Sequence, residues 1–291
     1  MSRWLVTGAG GQLGRDLVTV LGGRADVRLT ACDRAALDIT DADAVNAAVP
    51  GHDLVINTAA WTDVDAAETA EDRATAVNGH AVAHLAHACA ASGALLLSLS
   101  TDYVFDGEAS SPYPEEAPTA PVNAYGRSKL AGEQAVCKIL PRAGYIVRTA
   151  WLYSDHGRNF LTTMLALAET RETLSVVTDQ TGQPTWSVAL AKRLVELADA
   201  ALAGRAPAGI YHATASGSTT WFGFARAIFA AAGLDPQRIQ PTTSREFVRP
   251  APRPSYSVLG HDRWAEAGLA PMEPWEQMLD AALAPAAASR I

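Results

Sequence analysis

Trp4-Leu5-Val6-Thr7-Gly8-Ala9-Gly10-Gly11-Gln12-Leu13-Gly14 is the stretch that decides the fold. A short apolar run enters a G-x-x-G-x-x-G pattern at Gly8, Gly11 and Gly14, and a helical pattern follows over 13–22. A turn without Cβ atoms lets the backbone approach a pyrophosphate, whose charge is met by free N–H groups at a helix N-terminus. Any strand-to-helix turn that needs positive φ also selects glycine, so the surrounding sequence has to decide. Asp33 closes the next apolar run, about 20 residues beyond the last glycine, where a carboxylate binds ribose hydroxyls. Arg34 follows it and suits a 2′-phosphate, which leaves NADH and NADPH both open. Asp38 and Ile39 fit a loop over an adenine ring, while Asp38 equally suits the N-cap of a helix over 40–49.

Apolar runs at 4–7, 28–33, 54–57, 95–100 and 145–149 alternate with helical patterns at 13–22, 74–91 and 125–140. That alternation is the signature of a parallel sheet with crossover helices. Within 74–91, Val77, Ala81, Leu85 and Ala88 recur at helical spacing. The expected class is α/β: a Rossmann-like doubly wound parallel sheet over residues 1–150. A smaller mixed C-terminal cap over 151–291 is expected to bind substrate and to return some segments to the sheet. Helices are expected there at 159–169, 188–203 and 220–232. Polar, proline-rich stretches at 106–123 and 250–254 read as surface loops able to lie over a ligand. The alanine-rich tail 281–288 is expected to fray while its front end docks as a helix.

With 48% hydrophobic and 19% charged residues in 291, the chain can bury a large core and is neither disordered nor fibrous. A net charge of −8 offers no global field to nucleic acid or an acidic membrane, so an anionic ligand must be met by local donors. Cys32, Cys89 and Cys137 lie far apart and fit neither a disulfide framework nor a Cys-x-x-Cys metal site. His84 and His87 share a helix face without cysteine or carboxylate companions, so no metal is expected. No apolar run reaches the roughly 20 residues of a membrane span, and the expected location is cytoplasmic.

Chemistry enters with Tyr125-Gly126-Arg127-Ser128-Lys129, which sets a phenol and an ammonium on one helix face. A phenol with an ordinary pKa near 10 is a poor acid–base catalyst at neutrality, and a neighbouring ammonium favours its ionised form. Tyr-x-x-x-Lys is common by chance and also describes a solvated helix face. Ser98-Leu99-Ser100-Thr101-Asp102 delivers hydroxyls to the C-terminal end of the fourth strand, where ligands bind in such sheets. The third strand ends in Asn57-Thr58-Ala59-Ala60, small residues that allow a cofactor to lie close.

Taken together these motifs resemble the extended short-chain dehydrogenase/reductase superfamily, and within it the dTDP-4-dehydrorhamnose reductase family. The finer resemblance is carried by Ser100-Thr101-Asp102-Tyr103-Val104-Phe105-Asp106-Gly107, Arg148-Thr149-Ala150-Trp151-Leu152-Tyr153, Asn159-Phe160, Asp179-Gln180-Thr181-Gly182-Gln183-Pro184-Thr185 and Ala215-Ser216-Gly217-Ser218-Thr219-Thr220-Trp221. It covers nearly the whole chain. The resemblance implies hydride transfer from NADPH or NADH to the C4 ketone of a dTDP-linked 4-keto-6-deoxy sugar. It makes Tyr125 the proton donor, sets Lys129 on the nicotinamide ribose and beside the ionising phenol, and gives Thr101 a hydrogen bond to the carbonyl. Gly11, Gln12 and Leu13 are implied at the pyrophosphate and Asp38 and Ile39 at the adenine, while Gly8 and Gly14 of the turn and Asp33 and Arg34 near the adenosine ribose are candidates from the glycine motif itself. Ala60, Trp61, Thr62 and Leu99 are implied along the cofactor, and Thr101, Asp102 and Trp151 at the substrate. Trp151 equally suits a packed core aromatic.

Two departures narrow the reading. Tyr103 stands where related sugar-nucleotide dehydratases carry a glutamate, which disfavours elimination. Val188 stands where some members carry a carboxylate that dimerises around Mg²⁺, so a monomer or weak homodimer is expected. Two alternatives stay open: reduction of a related dTDP-4-keto sugar, as in the dihydrostreptose branch, and a non-catalytic role resembling the regulatory subunit of methionine adenosyltransferase.

Overall fold

Successive side chains of a strand point to opposite faces, and a sheet covered on both faces therefore reads as unbroken apolar runs. The computed structural model describes residues 1–288. It places Leu5, Val55, Leu96 and Ile146 in one core and Trp4, Val6, Ile56, Leu97 and Val147 in the other. The strands are β1 (Ser2–Thr7), β2 (Val27–Cys32), β3 (Leu54–Asn57), β4 (Leu95–Thr101) and β5 (Gly144–Thr149). They pair in parallel in the order β2-β1-β3-β4-β5, and Gly209–His212 extends the sheet beyond β5. The order reverses between β1 and β3, so a crevice opens at the C-terminal strand ends there.

Helices Ala81–Ser92 and Ala124–Ile139 contribute to the first core, and α1 (Gln12–Gly22) with Ser187–Leu202 to the second. The pattern over 74–91 predicts one helix, but the chain forms Glu71–Thr75, a π-turn over Ala76–His80, and then Ala81–Ser92. The wide turn passes against the Ala124–Ile139 helix at Gly132, where a Cβ would lie 2.2 Å from the Asn78 carbonyl oxygen. The helix expected over 40–49 is confined to Ala42–Ala48, because Asp41 caps it by accepting the N–H groups of Asp43 and Ala44. Asp38 instead closes a turn with Thr40.

The proline-rich loop 106–123 packs on the second loop and the residues after it: Asn123 Nδ2 donates to Pro252 O at 3.0 Å and Tyr113 N–H to Val258 O at 2.9 Å. The C-terminal helix runs over Trp275–Ala288 and so includes the stretch expected to fray; Met278, Leu279 and Ala282 bury its inner face. No helix among the described residues is long and apolar enough to cross a membrane.

One buried ion pair ties the Ala124–Ile139 helix to β5. Arg148 is bidentate to Glu133 at 2.7 and 2.9 Å, and its remaining nitrogen meets Glu115 O and His212 Nε2, each at 3.2 Å. Burial and the guanidinium together push His212 down to about 3, so a neutral ring accepts from Arg148 and donates to Gly260 O. Removing one partner of such a pair strands the other charge in the core. Glu133→Ala is expected to cost about 3–5 kcal/mol, read as a lowered urea midpoint. A loss below about 1 kcal/mol would show the pair to be dispensable.

Candidate active site

The crevice between β1 and β3 is a cleft of about 870 Å³. Every residue nominated from the sequence lines it except Gly14. A Cβ on Gly14 would lie 2.3 Å from Gly8 O, so this glycine lets α1 close on its own turn rather than touching the cleft. Gly8 has φ +72°, and a Cβ there would lie 2.5 Å from Ala59 N, which brings the ends of β1 and β3 together. No side chain caps α1 and its first turn holds no acidic residue. Its N-terminal N–H groups therefore suit an anion, and the residues present fit a dinucleotide pyrophosphate.

At the far end, one oxygen of Asp33 accepts the N–H groups of Ala35 and Ala36 at 3.0 and 2.9 Å. Arg34 is 88% exposed and reaches Asp38 at 3.6 Å. Hydrogen bonds from the N–H and hydroxyl of Thr40 hold the Asp38 carboxyl below the usual carboxylate range. The lining includes no residue of 106–123 or 250–254, while Arg253 of the second loop lies over the ring of the lining residue Tyr103 at 6.0 Å.

At the C-terminal end of β4, the Thr101 hydroxyl donates to Asp102 Oδ1 at 3.0 Å and accepts Tyr103 N–H at 3.2 Å. Burial raises the Asp102 carboxyl to about 6. Asn123 caps the Ala124–Ile139 helix through Gly126 N–H at 2.8 Å, which puts Tyr125 in the first turn. Gly126 permits the approach: a Cβ would lie 2.1 Å from Tyr103 O. Tyr103 meets the Tyr125 ring edge-on at 6.1 Å, so an aromatic and not a carboxylate occupies that place.

Lys129, one turn on, donates from Nζ to Leu99 O at 2.6 Å. Burial pulls its ammonium down to about 8. The spacing predicts that this ammonium lowers the phenol of Tyr125. The phenol is instead raised, first by burial and then by the Asp102 charge, while hydrogen bonding to Thr101 pulls the other way. Desolvation of the charged form is the largest of these effects. The phenol is thus held above its ordinary value near 10.

Three lining or supporting residues escaped the sequence reading. Asn78, in the π-turn, accepts Trp61 N–H at 2.9 Å and donates to Ser128 Oγ at 2.9 Å, joining the Trp61 wall to the helix of Tyr125. The Asn78-Gly79 pair inside a helical pattern was a legible breaker signal. Trp221 stacks on Trp151 with ring centres 3.5 Å apart, and both line the cleft. Arg158 also lines it, from a loop before the Phe160–Ala168 helix. No local pattern in the sequence pairs either of these with the β1 turn.

Residues 2–288 match the family model described as the RmlD substrate binding domain. The chain is 54% identical over 279 residues to a dTDP-4-dehydrorhamnose reductase of Streptomyces griseus, covering 95% of this chain and 91% of that protein. It is 49% identical to a dTDP-4-keto-6-deoxy-D-glucose reductase of Streptomyces niveus, covering 95% of each. The crystal structure of a dTDP-4-dehydrorhamnose reductase from Clostridium acetobutylicum superposes with a TM-score of 0.92 at 40% identity, over 98% of this chain and 99% of that one. That of the Bacillus anthracis enzyme in complex with NADP gives 0.92 at 37% identity, over 98% of this chain and 100% of that one. The matching family model, the close relatives and the shared fold agree along almost the whole length: this chain belongs to the RmlD substrate binding domain family.

Proposed function

We propose that the protein is an NAD(P)H-dependent reductase of the C4 ketone of dTDP-4-dehydro-6-deoxy-L-mannose, yielding dTDP-L-rhamnose. The observation that carries this reading is the meeting of Thr101, Tyr125 and Lys129 with the glycine turn in one cleft. The 54% identity to a reductase of that name supports the substrate. Residues 1–150 would chiefly hold the cofactor and 151–291 the sugar nucleotide. Gly8, Gly11, Gln12 and Leu13 would hold the pyrophosphate, Asp33 and Arg34 the adenosine ribose, and Asp38 and Ile39 the adenine. Ala60, Trp61, Thr62 and Leu99 would flank the rest of the cofactor, and Asp102 and Trp151 the sugar nucleotide.

When bound, reduced nicotinamide would supply the hydride for C4. Tyr125, protonated in the buried site, gives its phenolic proton to the ketone oxygen as that oxygen becomes an alkoxide. Thr101 adds a second hydrogen bond once its hydroxyl turns from Asp102 to the substrate oxygen. The Lys129 ammonium would hold the nicotinamide ribose and would stabilise the phenolate that remains. Tyr103 supplies no base for C5 of the sugar, which leaves reduction and not dehydration. A second reading, reduction of dTDP-4-keto-6-deoxy-D-glucose, is favoured by the Streptomyces niveus relative.

Purified protein mixed with NADPH or NADH and each 4-keto sugar is expected to consume nicotinamide absorbance with at least one of them. No turnover with either would overturn the reading and leave a binding role. Tyr125→Phe is expected to lower kcat by about 10²–10⁴-fold while cofactor affinity holds within about twofold; near-normal kcat would remove Tyr125 from the chemistry. Lys129→Met is expected to weaken cofactor binding and turnover together. The charge of Lys129 is present below about 8 and is lost as pH rises through that value. The kcat/KM of the wild type is therefore expected to fall above that pH. A profile flat to pH 10 would mean the ammonium is not required.

A further inference from the structure

Among the described residues Trp151 is the one non-glycine residue with positive φ, at +47°. Left-handed backbone brings Cβ against the following carbonyl, so a bulky residue stays there only where its surroundings over-determine it. Three surroundings do so. The Trp151 carbonyl accepts Thr185 N–H at 3.2 Å. One ring face lies on Trp221 with 7° between the planes. The ring edge fills the space beside Gly182, where a Cβ would lie 2.5 Å from Trp151 Cε2 and 2.8 Å from its Nε1.

The two supports are themselves joined. Thr219 and Thr220 pair antiparallel with Gly182 and Thr181. Thr220 then caps the Trp221–Ala231 helix by accepting Gly223 N–H at 3.0 Å. Phe160 packs on Trp221 at 4.5 Å. Trp221 is thus held at the first residue of a capped helix, and the Trp151 indole is clamped between a fixed ring and a missing Cβ.

We propose that Trp221 is a positioning residue for sugar-nucleotide recognition: with Gly182 it holds the Trp151 indole as a flat wall of the cleft. The ligand chemistry is one apolar ring face, supplied by the thymine base or by the C–H face of the sugar. The proposal rests on the reductase reading given above.

The test compares wild type, Trp221→Leu, Trp221→Phe and Gly182→Ala. Exciton coupling of the stacked indoles in the near-ultraviolet circular dichroism is expected in the wild type and lost in Trp221→Leu. An aromatic pair is worth about 0.5–1.5 kcal/mol beyond its buried area, so KM for the sugar nucleotide is expected to rise about 2- to 12-fold. Cofactor Kd should hold within about twofold and kcat change less than KM. Trp221→Phe should restore most of the loss, and Gly182→Ala should reproduce it by displacing the ring without touching Trp221. Calorimetry with dTDP alone separates the sources: weakened dTDP binding assigns the wall to the base, and unchanged dTDP binding with raised KM assigns it to the sugar. An unchanged KM in both Trp221→Leu and Gly182→Ala would overturn the proposal, as would an equal loss of cofactor affinity. If the wild type turns over no sugar nucleotide, the reductase reading fails, while the dichroism and dTDP titration still decide the positioning role.

Discussion

The contact on which the site depends is the approach of the Ala124–Ile139 helix to the end of β4, made possible because residue 126 has no side chain. With a Cβ there 2.1 Å from Tyr103 O, the helix would have to withdraw, and Tyr125 with it. The buried Glu133–Arg148 pair holds the same helix to β5, and Asn78 holds its first turn to the Trp61 wall. Three unrelated interactions therefore converge on one helix. A proton donor has to be placed within hydrogen-bond reach of its acceptor, and that accuracy comes from rigid support.

The electrostatics of the cleft follow from burial more than from pairing. Desolvation disfavours every charged form, so it raises Tyr125 and Asp102 and lowers Lys129. The consequence is a phenol that carries its proton, a carboxyl poised at about 6 and an ammonium poised at about 8. In the resting site the Lys129 ammonium serves the Leu99 carbonyl.

The second half of the chain supplies the other wall through aromatic packing. Phe160 and Phe224 surround Trp221, which lies on Trp151, and Trp151 faces the cleft. The two motifs 179–185 and 215–221 meet as a short antiparallel pair, which gives both stretches a common purpose. The left-handed backbone of Trp151 is held by the Thr185 N–H, the Trp221 ring and the space beside Gly182.

Much of this was legible in the chain alone. The run 4–14 names a strand, a phosphate turn and a helix, because apolar periodicity and Cβ-free turns are local properties; all five expected strands are present within a residue or two. Tyr125, Lys129 and Thr101 were legible as residue types at the ends of those elements. The strand at 209–212 and the Trp221 support were not, since each depends on partners distant in sequence, and the π-turn at 76–80 left only the local Asn78-Gly79 breaker as its sign. Protonation states escaped for the same reason. Spacing alone set an ammonium beside a phenol, but desolvation is a property of the whole enclosure, and only the assembled tertiary structure decided which group holds its proton.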